Sequence, residues 1–219
     1  MQNFDEFVDA SNQAAPVRGF LHHPATLGTE CLILTHGAGA DCRSLLLTTL
    51  ADAFCAEGFT VLRCDLPFRQ SRPHGPPSRG SAGRDQEGLR AAVISMRNLT
   101  KSKISLGGHS YGGRQASMLA ASEPGLVERL LLLSYPLHPP QRPEEMRTKH
   151  FSALRVPALF VHGTRDGFGS LAEMEGALKL IPGPTKLIPI EGAGHELMTT
   201  RNRNALAGQV VSAFDSFGH

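Results

Sequence analysis

The feature that most constrains this chain is a recurrence of short Leu-, Ile- and Val-rich runs with little polar alternation, separated by amphipathic segments. A strand wetted on one side alternates apolar and polar residues, whereas a strand covered by helices on both faces is apolar throughout. Most of the runs at residues 31–35, 60–64, 104–107, 130–134, 158–161 and 186–190 are of the second kind, and 17–21 is a weaker first member. Between them helical spacing recurs at Leu46, Leu50 and Phe54, at Leu89, Ala92, Val93 and Met96, at Leu171, Met174 and Leu178, and at Leu206, Val210, Phe214 and Phe217. Residues 113–122 carry Ala116, Ala120 and Ala121, small enough for a central helix to lie close on a sheet. The alternation predicts an α/β fold, a mostly parallel sheet of about seven strands flanked by helices on both faces.

With 219 residues there is room for one full core but not for two ordinary domains and a linker, so residues 1–219 are expected to form a single domain. The balance of 22 basic and 20 acidic residues produces no field that would favour nucleic acid or an anionic membrane as partner. A small-molecule partner is expected instead; oligomeric state is unreadable. Asp5, Glu6 and Asp9 stand where a secretory signal would need basic and then apolar residues, and no apolar run reaches the ~18 residues of a membrane span. Cys31, Cys42, Cys55 and Cys64 form no CxxC pair, which fits reduced thiols and a cytoplasmic location.

Two stretches follow neither period. Residues 66–83 hold Pro67, Pro73, Pro76 and Pro77 with Arg69, Arg72 and Arg79, and read as an 18-residue loop. Residues 136–143 hold four prolines in eight positions. Both follow strands and are therefore expected at the carboxyl end of the sheet, where open α/β folds bind ligands.

Gly108-His109-Ser110-Tyr111-Gly112 lies between the 104–107 run and the small-residue helix. A serine nucleophile needs such a setting: a sharp strand-to-helix turn that projects its hydroxyl, with small neighbours so that the turn can pack. It also needs a base and an acid that orients the base. Asp166, in His162-Gly163-Thr164-Arg165-Asp166, and His195, in Glu191-Gly192-Ala193-Gly194-His195, each follow a later strand run. The order Ser, Asp, His is the one expected when the strand ends of a parallel sheet supply all three. His36-Gly37-Ala38-Gly39-Ala40 follows the 31–35 run, and its glycine-flanked backbone could aim an N–H at a developing oxyanion. The N–H groups of Ala38 and Tyr111 are the candidate donors.

These motifs together, strand-HGAGA, strand-GHSYGG-helix, strand-HGTRD and strand-EGAGH, resemble the α/β-hydrolase family from about Cys31 onward. The pattern LTHGAGAD with HGTRDGFG is most similar to a small branch related to dienelactone hydrolases. That branch also includes the hydrolase-like domain of a subunit of the non-specific-lethal histone acetyltransferase complex. The resemblance implies an α/β-hydrolase fold, with Ser110 as nucleophile, Asp166 as acid, His195 as base, and Ala38 and Tyr111 as oxyanion donors. The expected activity is that of a serine hydrolase, carboxylesterase- or thioesterase-like, on an ester-type small molecule. Dienelactone hydrolases proper use cysteine where this chain has Ser110, so their substrate is not carried over. Family relatives commonly insert a helical cap after the strand corresponding to 130–134, but only 21 residues, 136–156, precede the next strand here, too few for a cap domain.

Other chemistries fit less well. His36, His109, His162 and His195 show no metal-ligand spacing, and neither GxGxxG nor GxxxxGK[ST] occurs, so no metal or cofactor is expected. Arg69, Arg72 and Arg114 are candidate contacts for an anionic group on the substrate, with Arg79 and Arg84 beside them, although solvated arginines are the commoner case for such charges. Because a fold does not fix a function, a non-catalytic interaction domain on the same scaffold is the competing class.

Overall fold

A computed structural model describes residues 4–199 and 201–218. Among these residues eight strands form one sheet: β1 (Phe4–Asp9), β2 (Val17–His22), β3 (Glu30–Thr35), β4 (Thr60–Cys64), β5 (Lys103–His109), β6 (Arg129–Leu133), β7 (Ala158–Gly163) and β8 (Thr185–Ile190). Their spatial order is β1-β2-β4-β3-β5-β6-β7-β8, antiparallel at the β1-β2-β4 edge and parallel from β4 onward. Among the described residues six α-helices accompany them: α1 (Leu45–Ala56), α2 (Pro67–Ser71), α3 (Ser81–Thr100), α4 (Tyr111–Ser122), α5 (Leu171–Leu178) and α6 (Arg203–Asp215).

The predominance of apolar residues in these runs has a direct cause. Successive side chains of a strand point to opposite faces, and in this sheet both faces are cores. Leu130 and Leu132 of β6 join Ile33, Met96, Leu119 and Met174 beneath α3, α4 and α5. Leu131 and Leu133 join Leu34, Leu50, Phe54, Val210 and Phe214 beneath α1 and α6. There Phe54 and Phe214 meet edge to face at 5.5 Å between ring centres. Cys31, Cys42 and Cys64 are buried free thiols, and Cys55 is half-buried and also free. Among the described residues no helix is long and apolar enough to cross a membrane.

The architecture differs from the sequence reading in three places. The sheet has eight strands, the additional one being β1, an edge strand whose Asp5 and Glu6 are exposed and whose Phe4 packs edge-on against Phe20 at 5.6 Å. Residues 66–83 are not one loop. Pro67 opens α2 at a position where its missing N–H costs nothing, and α3 begins at Ser81, so only 72–80 is irregular. Phe217 lies beyond the end of α6 yet still packs against the core beneath it. Residues 136–156 hold a single 3-10 turn, Phe151–Ala153, and fold back on the domain through the Arg147 N–H donating to the Leu137 carbonyl at 2.8 Å. Among the described residues no cap covers the carboxyl ends of β3, β5, β7 and β8.

Candidate active site

Ser110 stands between the last residue of β5 and the first of α4 with φ 49° and ψ −114°, a backbone conformation that costs an L-residue strain. The turn is held because its neighbours lack side chains. A Cβ on Gly108 would lie 2.7 Å from the Gly113 nitrogen, and one on Gly112 would lie 2.5 Å from the His36 carbonyl oxygen. The Ser110 N–H donates to the Leu133 carbonyl at 2.8 Å, tying the turn to β6. The hydroxyl is left to face outward.

His195, on the loop after β8, places Nε2 2.8 Å from Ser110 Oγ. Its Nδ1 lies 2.9 Å from Asp166 Oδ2 and 3.1 Å from Oδ1. A carboxylate can only accept, so Nδ1 carries the proton and Nε2 is the free lone pair that accepts the Ser110 O–H. Asp166 follows β7 and also accepts the Phe168 N–H at 2.8 Å. Burial would raise the Asp166 carboxyl, but the hydrogen bond and charge of His195, with the Phe168 N–H, outweigh it and hold the group below the usual carboxylate range. The Phe168 ring stacks on the His195 imidazole at 4.1 Å. His109 adds a second restraint. Burial keeps its imidazole below the ordinary range and therefore neutral, and Nε2–H donates to the His195 carbonyl at 2.8 Å.

Ala38, on the loop after β3, and Tyr111, at the start of α4, line the same cleft as Ser110 and His195, a space of about 780 Å³. Tyr111 is the first residue of its helix, so its N–H has no carbonyl one turn back. The Tyr111 O–H donates to Asp85 Oδ2 at 2.7 Å, and the fully buried Asp85 accepts the Phe68 N–H through Oδ1 at 3.0 Å. This carboxylate therefore joins the starts of α2 and α4; sequence reasoning missed it because a single acid in an amphipathic helix gives no signal of burial.

The three arginines separate. Arg69 is 6% exposed, and its guanidinium donates to the carbonyls of Ala40 and Ala38 at 2.8 Å each, of Arg72 at 3.0 Å and of Gly75 at 3.1 Å. The expected substrate contact gives way to a clamp on the 38–40 loop, because the donors are already taken by backbone. Arg72 is exposed and lies outside the cleft lining. Arg114 does line the cleft, together with Arg147, which sequence reasoning did not single out. The clamp sets an expectation: Arg69→Met destabilises the fold by about 3 kcal/mol, since a buried charge-assisted network is lost and carbonyls are left unpaired. Arg69→Lys recovers little of it, because an ammonium cannot reproduce the planar fork. A urea midpoint unchanged in Arg69→Met would remove the clamp.

A strained serine at a strand-to-helix elbow, in series with a histidine and a buried aspartate at the carboxyl ends of a β/α sheet, defines an α/β protein built on the hydrolase plan. The chain belongs to the alpha/beta hydrolase family, whose domain model matches residues 28–215. It is 30% identical over 136 residues, 60% of the chain, to a Haemophilus influenzae protein described as a candidate esterase/lipase, and it spans only 45% of that relative's length. In fold it is similar to a dienelactone hydrolase from Anabaena variabilis, at 21% identity and TM-score 0.78 over 99% of this chain and 100% of that one. It is also similar to a serine hydrolase without lid from Xanthomonas campestris, at 15% identity and TM-score 0.72 over 98% and 95% of the two chains. Each likeness to a solved structure shows a shared fold, consistent with the uncapped strand ends.

Proposed function

We propose that this protein is a serine hydrolase that cleaves an ester or thioester bond of a small-molecule substrate through an acyl-enzyme. The observation that carries this reading is the continuous hydrogen-bonded series from Ser110 Oγ through His195 to Asp166, opening on a cleft. The hydrolase family and the esterase/lipase description of the Haemophilus relative support the bond type.

In this mechanism Ser110 Oγ attacks the substrate carbonyl carbon while its proton passes to His195 Nε2. Asp166 stabilises the imidazolium and keeps Nδ1 protonated. The carbonyl oxygen becomes an oxyanion held by the N–H groups of Ala38 and Tyr111. Collapse breaks the bond to the alcohol or thiol, which leaves with the proton from His195. Water then repeats the sequence in reverse, losing a proton to His195 and releasing the acid. No substituent of the protein is consumed.

The test is covalent. A fluorophosphonate probe is expected to label the native protein at Ser110, located by peptide mass spectrometry, because phosphonylation needs a hydroxyl activated by a base and an oxyanion site. An interaction domain without catalysis has no activated serine and would remain unlabelled. Absence of labelling, or labelling at another serine, would overturn the assignment.

A further inference from the structure

Resting on that reading of Ser110, we propose that Arg114 and Arg147 form a subsite for an anionic group, a carboxylate or a phosphate, carried by the substrate hydrolysed there. Arg114, in the first turn of α4, lies four residues beyond Ser110 and lines the same cleft. Arg147 reaches the same cleft from the segment that follows β6. Neither guanidinium forms an ion pair with a carboxylate among the described residues.

The surroundings offer little to balance this charge. Arg114 hydrogen-bonds the Tyr135 hydroxyl, but its Nε is shielded from solvent and has no partner, which leaves one strong donor unsatisfied. Tyr135 cannot supply a negative charge: its buried hydroxyl donates to the Arg147 carbonyl at 2.6 Å. His150, facing Arg114 from the 3-10 turn, is pushed down to about 4 by burial and then by Arg114, so it stays uncharged beside Ser117. Burial, followed by repulsion from Arg114, also lowers Arg147. Arg147 directs Nη1 only at the distant Pro136 carbonyl, 3.4 Å away.

Three acids come near, of which Glu144 lines a neighbouring hollow with both arginines. Glu145 bears on Arg147 but is paired with Arg142 at 2.7 Å. Glu196 lines the cleft and is exposed, next in sequence to His195. Against it stand Arg79, Arg114 and Arg147 on the cleft wall. Two half-buried guanidiniums at one cleft, neither paired with a carboxylate, repel each other, and an anion between them removes the repulsion. Arginine is the side chain suited to this, because its planar donors match both carboxylate and phosphate.

A matched pair of esters reads the effect, p-nitrophenyl hemiadipate with a terminal carboxylate and p-nitrophenyl hexanoate without one. The expected result is a kcat/KM for the anionic ester about tenfold or more above the neutral one, the size of a desolvated charge-assisted contact. In Arg114→Gln and in Arg147→Gln that ratio should fall toward unity. Because both esters are measured on one protein sample, any loss of folded fraction cancels from the ratio. A native ratio at or below unity, or one that neither substitution changes, overturns the subsite. Should neither ester be turned over, the hydrolase reading fails while the subsite is still decided by calorimetric titration of the Ser110→Ala protein with adipate and, separately, with inorganic phosphate. Binding weakened about tenfold by Arg114→Gln supports it, and whichever anion binds identifies the source. No binding of either anion up to about 10 mM overturns it.

Discussion

Replacing Ser110 with Ala lowers kcat/KM toward an ester substrate by a factor on the order of 10⁴ to 10⁶, with the fold intact. The magnitude follows from what the substitution leaves behind. His195, Asp166 and the N–H groups of Ala38 and Tyr111 remain, so water can still be activated weakly against a bound ester, but no acyl-enzyme can form. Stability should hardly change. The Ser110 backbone bonds, N–H to Leu133 and carbonyl to the Arg114 N–H at 3.0 Å, do not involve the hydroxyl, and an alanine Cβ occupies the place of the serine Cβ at the same positive φ. Steady-state rates paired with thermal unfolding separate the two quantities. A loss below about tenfold in a protein that melts like the native one would show that Ser110 is not the nucleophile.

What the sequence reveals of this molecule depends on how local each cause is. Residues 130–133 read as a doubly covered strand because each of those leucines faces a core. The meeting of Ser110, Asp166 and His195 is legible for a related reason: each follows a parallel strand, and parallel strands bring their carboxyl ends to one edge. Strand β1 escapes because an edge strand needs only one buried side; Val8 in it is 63% exposed. Pro67 misleads because proline breaks a helix interior but is tolerated in a first turn. Arg69 and Arg147 show the sharper limit. One becomes a buried clamp and the other a cleft residue through contacts with segments distant in the chain, and no spacing rule connects Arg69 with the Ala38 and Ala40 carbonyls or Arg147 with Arg114. Local patterns specify elements; the partners of a long side chain depend on how those elements pack.

Asp166→Asn is expected to lower kcat by about 10⁴ while leaving KM within a few-fold of native, the mark of an interaction made in the transition state. The geometry specifies why so small a change acts so strongly. The Phe168 N–H donates to Oδ1, so the asparagine carbonyl oxygen is retained at that position, and the amide nitrogen takes the place of Oδ2, 2.9 Å from His195 Nδ1. An amide N–H there can only donate. The nearer partner of Nδ1 is then a donor, with the carbonyl oxygen at 3.1 Å already engaged by Phe168, which favours the tautomer that carries its proton on Nε2, the atom that faces Ser110 Oγ. In that tautomer the imidazole donates to the hydroxyl that it should deprotonate. Burial adds no penalty, because a neutral amide in a fully enclosed site costs less desolvation than a carboxylate. A defect of folding alone would lower the active fraction without moving a proton between the two ring nitrogens, so nitrogen NMR of the imidazole distinguishes the causes. A His195 that keeps its proton on Nδ1 in Asp166→Asn, with kcat within about tenfold of native, would remove Asp166 from the mechanism.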